Sequence, residues 1–315
     1  MTRIFSSHGK LLGKLIGWTA AAFIVASVSA ASAQQAFQSP EDAAAALVNA
    51  VRDNWPKGAI AVLGADGADI VSSGDKVADE QMRKQFLAAY DARHQVTKEG
   101  DDKAVMIIGN EDFPFPIPLT RKGATWQFDT AAGRLEILYR RIGRNELSAI
   151  QAILAYVDAQ NEYADKNRAS AGGAAYAQRI VSRPRKKDGL YWPATEGDEQ
   201  SPLGELVAQA SADGYAVSGE RTPFHGYYFR ILTRQGPMAA GGEVDYVVRG
   251  KMIGGFALVA YPAEYGNSGV MTFVVNYAGT VFQKDLGERT AKIAGRMTEF
   301  NPDQTWKKVD VTTPR

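Results

Sequence analysis

The sequence predicts an α+β protein in which a helical segment with a curved sheet precedes a long helix packed on an antiparallel sheet. Three observations predict it. Apolar residues recur at helical spacing over residues 39–94 and 132–165, short alternating runs lie between 104 and 129, and strand-like runs separated by glycine turns dominate beyond Gly214.

The chain opens with Arg3, Lys10 and Lys14, an apolar stretch from Leu15 to Ala30, and Ala31-Ser32-Ala33 before Gln34. A basic start, a short apolar core and small residues at an A-x-A site read as a secretory leader cut after Ala33. The expected organisation is residues 1–33 as leader, 34–142 as an α+β region able to enclose a conical pocket, and 143–315 as the helix-on-sheet region. The mature chain is expected to be periplasmic or secreted, with no membrane-spanning segment, because no later apolar run approaches the ~20 residues a spanning helix needs.

The whole chain has 36 basic and 35 acidic residues; without the three leader cations, 33 face 35. A nearly neutral protein has no global field for nucleic acid or anionic lipid, so neither is an expected partner. Cysteine is absent. That excludes disulfides, thiolate metal sites, thiol catalysis and lipid attachment at the leader cut.

Ser39-Pro40-Glu41-Asp42 supplies a cap, a proline at the first helical position and two acids suited to the helix dipole. Ala45, Val48 and Val51 are expected on that helix's inner face, and a second helix from about Asp79 carries Phe86, Leu87 and Tyr90. Gly64 to Gly67 and Ser72 to Asp75 read as turns. Strands follow at Val105 to Ile108 and Trp126 to Asp129, with Phe113 to Pro118 confined by its prolines to an edge or extended loop. The long helix, about Ala132 to Asp165, has a weak point at Gly143. Beyond it, Tyr227–Leu232, Val244–Val248, Phe256–Tyr261, Val270–Val275 and Val281–Lys284 are expected to form an antiparallel meander.

Several strings carry a resemblance. Phe113 to Leu119, Gly189-Leu190-Tyr191-Trp192-Pro193, His225 to Thr233, Gly254 to Pro262, Gly269 to Phe273 and Gln283 to Gly287 are similar to those of the bacterial domain-of-unknown-function 2950 family, across essentially the whole mature chain. The resemblance implies an exported protein and no assigned activity. The C-terminal half also distantly resembles the heads of type II secretion pseudopilins and type IV pilins, although no prepilin cleavage signature precedes its helix. An acidic loop implied after the long helix reads here Asp165-Lys166-Asn167-Arg168-Ala169-Ser170, too poor in oxygen ligands and turn glycine for calcium.

Familiar catalytic patterns are missing. Gly266-Asn267-Ser268-Gly269 is one residue short of a nucleophile elbow and lies between strands, and no metalloprotease or nucleotide-binding motif occurs. His94 reads as a helix C-terminal cap and His225 as a structural or pocket histidine. Glu111, Asp112, Glu264 and Asp285 are glycosidase candidates by residue type alone. No cofactor or metal is expected. The leading expectation is a non-catalytic protein binding an envelope protein or glycan through Tyr191, Trp192, His225, Tyr227, Tyr261, Glu264 and Tyr265, with Phe224 and Tyr228 nearby and the basic run Arg183 to Lys187 beside them. Two alternatives are a hydrolase of cell-wall or carbohydrate material, and a small-molecule carrier whose cone is lined by Phe113, Trp126 and Phe128.

Overall fold

Ser39 caps α1 (Pro40–Asp53) by accepting from the Asp42 amide at 3.0 Å, with Pro40, Glu41 and Asp42 in its first turn as the sequence predicts. The computed structural model describes residues 34–168, 174–195, 197–215 and 222–310. The leader and part of the loop at Asp165 to Ser170 lie outside these residues. Helix α1 buries Ala43, Ala44, Leu47, Val48 and Val51, whereas Ala45, expected on this face, is exposed.

Helices α2 (Lys57–Leu63) and α3 (Ala68–Val71), missed in the sequence because each is so short, pack beside α1 and are joined by a 3-10 turn at Ala65–Gly67. Asp75 then caps α4 (Lys76–Ala92). A sheet follows, built from β1 (His94–Lys98), β2 (Lys103–Ile108), β3 (Phe113–Pro114), β4 (Leu119–Lys122) and β5 (Thr125–Phe128). Its order is β1-β2-β4-β5 with β3 added on β2, and all its pairs are antiparallel. Proline-rich β3 makes only a two-residue pairing, as an X-Pro segment without the full set of amide donors must.

Helix α5 (Thr130–Arg168) is continuous for 39 residues and passes unbroken through Gly143. Its early turns pack Ile137 against a core formed by α1 to α3 and the first sheet, and its later turns place Ala149, Ile153, Tyr156 and Val157 in a second core. Two glycines on this helix have opposite expected effects. Nothing lies within 4 Å of a methyl group added at Gly143, so Gly143→Ala should raise stability by about 0.5–1 kcal/mol through helix propensity. At Gly133 the added carbon would lie 2.6 Å from the Pro116 carbonyl oxygen and 2.7 Å from Ile117 Cα. Gly133→Ala should therefore cost about 1–3 kcal/mol as overpacking, and urea denaturation of the pair checks the sign at each site.

After α6 (Gly204–Ala212), the second sheet combines β6 (Tyr227–Leu232), β11 (Ala257–Pro262), β12 (Met271–Asn276), β13 (Phe282–Asp285) and β15 (Lys307–Lys308) in the order β15-β13-β12-β11-β6, all antiparallel. Every residue of β11 is buried, since α5 touches it and α7 (Thr290–Ala294) also packs on it, which explains its uninterrupted apolar run. The expected strand Val244–Val248 is instead two short ones, β8 (Val244–Asp245) and β9 (Val247–Val248), broken where fully buried Tyr246 turns inward to donate its hydroxyl to Gln235. β7 (Arg234–Gln235) pairs with β8, β9 with β10 (Lys251–Met252), and β14 (Glu299–Phe300) runs parallel to β7, so the region is not purely antiparallel. No described helix is long and apolar enough to cross a membrane.

Candidate functional site

Helix α4 carries Met82, Phe86, Leu87, Ala89 and Tyr90, yet its one buried residue is Asp79. A helix of this length normally seals its apolar stripe against the core. Here the seal is incomplete: Phe86, Leu87, Ala89 and Tyr90 touch the first core yet stay partly exposed, and a cavity of about 370 Å3 lies between α4 and parts of α1, α2, α3 and α5. Leu47, Ala59, Leu63 and Ile70 form buried walls, while Phe86 and Phe115, with ring centroids 5.5 Å apart, stand at the α4 side.

All the charged residues lining this cavity are cations: Arg83, Arg140 and Arg144. Arg83 is occupied by Glu80 and by the Val51 carbonyl. Arg140 donates to Glu136 and lies over the Phe113 ring at 5.5 Å. The exposed side chain of Arg144 has no hydrogen-bond or ion-pair partner among the described residues.

Beside the cavity, a buried polar joint ties the two cores together. Asp75, 1% exposed, accepts at Oδ1 from the Val77 and Ala78 amides and at Oδ2 from Tyr215 Oη and the Gly226 amide, both at 2.8 Å. Tyr215 Oη in turn accepts from the His225 amide at 3.1 Å. Burial, and then the adjacent Asp75 carboxylate, push the Tyr215 phenol far up, so it stays protonated. Ser73 donates its amide and hydroxyl to Asp79, whose acidity is nonetheless weakened by burial.

Arg141 is 2% exposed and donates to the carbonyls of Asp69 and Ile70 and to Asn267 Oδ1. Burial lowers its pKa, opposed by the charges of Asp79 and Asp69. Asn267 then reaches the Ser72 carbonyl and Glu264, and Asn145 on α5 holds the Ser268 carbonyl. Ser268 is fully buried, and its hydroxyl bonds only the Glu264 backbone, bracing the turn.

Three of the seven residues expected at a partner surface are buried, and the other four are exposed or half-buried. Trp192, Tyr227 and Tyr261 are 6%, 0% and 3% exposed, and the Trp192 indole donates to the Glu199 carbonyl. Tyr191 is half-buried against the second core, Tyr265 donates to Asp285, and Glu264 accepts from Asn267. His225 is half-buried beside Phe224 and Tyr215, and desolvation lowers its pKa. The His225 amide joins the Asp75 cluster through Tyr215, and exposed Glu264 joins the Arg141 cluster through Asn267. Alternating strand aromatics pointed inward here, where the core needed their area.

Among the acids proposed for sugar hydrolysis, Asp112 pairs with Arg93 and Asp285 caps the Gly287 amide. Among the described residues, Glu264 and Asp285 have no carboxylate partner. In the basic run, Arg183 and Lys187 are held by Asp188 and Glu199. His94 Nδ1 lies 2.9 Å from the Tyr90 carbonyl at the end of α4, and its ring stacks on Tyr90. Trp126 and Phe128 are core residues and do not line the N-terminal cavity; Phe113 does. A larger depression of about 670 Å3 runs between α6, β6 and residues 178–181, with Tyr215 and Thr222 among its lining.

Residues 34–309 match the profile of a family described as a protein of unknown function (DUF2950). The chain belongs to that family. No curated protein and no solved structure matches it. The DUF2950 match spans both cores and the joint between them, and one of the strings that suggested it, His225 to Thr233, brings the Gly226 amide to Asp75 in that joint.

Proposed function

We propose that the mature chain is an exported, non-catalytic binding protein that carries a small, largely apolar molecule in the cavity under α4. The observation that carries this reading is the half-buried apolar face of α4, which a bound molecule would cover. A volume of about 370 Å3 falls within the roughly 300–1,000 Å3 usual for ligand sites, and an apolar wall with a few charged groups is their usual chemistry. Export rests on the leader-like residues 1–33; terminal sequencing of protein recovered from the envelope should begin at Gln34, and a terminus at Met1 would contradict it.

The neutral fluorescent probe N-phenyl-1-naphthylamine should bind the mature protein saturably at one site. Ala89→Trp, which places an indole in the cavity from α4, should abolish binding while helix content stays unchanged. Equal probe binding by a folded Ala89→Trp variant would sink the proposal.

A further inference from the structure

We infer that the molecule held in this cavity is an anionic single-chain amphiphile, its tail under α4 and its head on Arg144. This rests on the carrier reading above and narrows it. The cavity has two chemically different parts. Its depth is hydrocarbon and aromatic, from Leu47, Ala59 and Ile70 to Phe86. Its opening, where Arg140 is about half exposed and Phe113 44% exposed, carries guanidinium groups and no acid.

Of these cations, Arg83 and Arg140 already hold Glu80 and Glu136, and their remaining role is to set a positive field at the opening. Arg144 has no such acid, and it also faces the repulsion of buried Arg141 one turn earlier. An anion there relieves that repulsion and gives Arg144 the planar, two-oxygen partner its fork suits, whether carboxylate, sulfate or phosphate. A single alkyl chain is the tail that a cavity of about 370 Å3 with an apolar wall would take. Neutral and cationic amphiphiles leave Arg144 unpaired or repel it.

Displacement of N-phenyl-1-naphthylamine from the full mature protein separates the possibilities. Dodecanoate, dodecyl sulfate and dodecyl phosphate report which oxyanion is preferred; dodecanol and dodecyltrimethylammonium are the uncharged and cationic comparisons. At low salt the best anion should bind about fivefold tighter than dodecanol, a difference of roughly 1 kcal/mol typical of a partly exposed ion pair, and the margin should shrink as salt is added. Affinity should rise about fourfold per methylene until the cavity is full.

Arg144→Gln removes a side chain without structural partners, so the protein should stay folded and still bind the neutral probe. In it, the anion should bind no better than dodecanol. An unchanged anion preference in this variant, or dodecanol matching every anion in the natural chain, would overturn the inference while leaving the carrier reading standing. Failure of the neutral probe itself to bind would remove both.

Discussion

Asp75→Ala should lower the unfolding free energy by about 4 kcal/mol at neutral pH, measured by urea denaturation. Four donors converge on this one side chain: two amides of the first turn of α4, the Tyr215 hydroxyl and the Gly226 amide. Loss of a helix cap alone costs about 1 kcal/mol. The other two bonds are made to a buried carboxylate, where each contributes about 1.5–3 kcal/mol and an orphaned donor is penalised by its desolvation. Asp75→Asn keeps one acceptor oxygen and should lose less. A loss under about 1 kcal/mol for the alanine variant would mean that water replaces the carboxylate and that the joint is looser than its 1% exposure implies.

Arg141→Met should cost about 3–5 kcal/mol, the range for breaking a buried charged network by removing one member. The change deletes donors to two main-chain carbonyls and to Asn267, and it removes the cation that offsets the Asp79 charge. The pH dependence carries a sign. Burial raises the Asp79 pKa in the folded state, so the folded form holds this proton more tightly than the unfolded one. Its stabilising contribution is complete below the unfolded value near 3.8 and is lost as pH rises through the folded value. Without Arg141 that folded value rises further, so the variant should lose more stability than the natural chain as pH rises above the unfolded value. Parallel pH profiles for the two proteins would show that Asp79 does not sense Arg141.

Much of the scaffold was legible in the sequence because it depends on local chemistry. The Ser39-Pro40 start of α1, the extent of α5 and the ends of β6 follow from caps and periodicity, and the structure places β6 at Tyr227–Leu232 as read. The carrying features were not legible. Asp75 stood in a run read only as a turn, and its role depends on Tyr215 and Gly226, 140 and 151 residues away. Arg141 looked like any other cation on a polar helix. The cavity is a gap between elements, and the apolar residues of α4 have the same spacing whether or not the space beneath them is filled.

Aromatic residues misled for a related reason. Tyr191, Trp192, Tyr227 and Tyr261 stood out by type, but large rings serve equally as core, and three of these four are buried. The exposed arginine beside a gap had no signature that would separate it from other surface arginines.

Helix α5 has a consequence for inheritance. It is about 58 Å long at 1.5 Å per residue, and the same unbroken rod supplies Ile137 to one core, Arg141 and Asn145 to the joint, and Ile153 to the other core. A gene rearrangement that cut within it would expose apolar surface on both fragments and strand a buried guanidinium. The two halves are therefore expected to pass through evolution together, with insertions tolerated at surface turns such as Gly100 and Gly123 and breaks excluded from the rod they share.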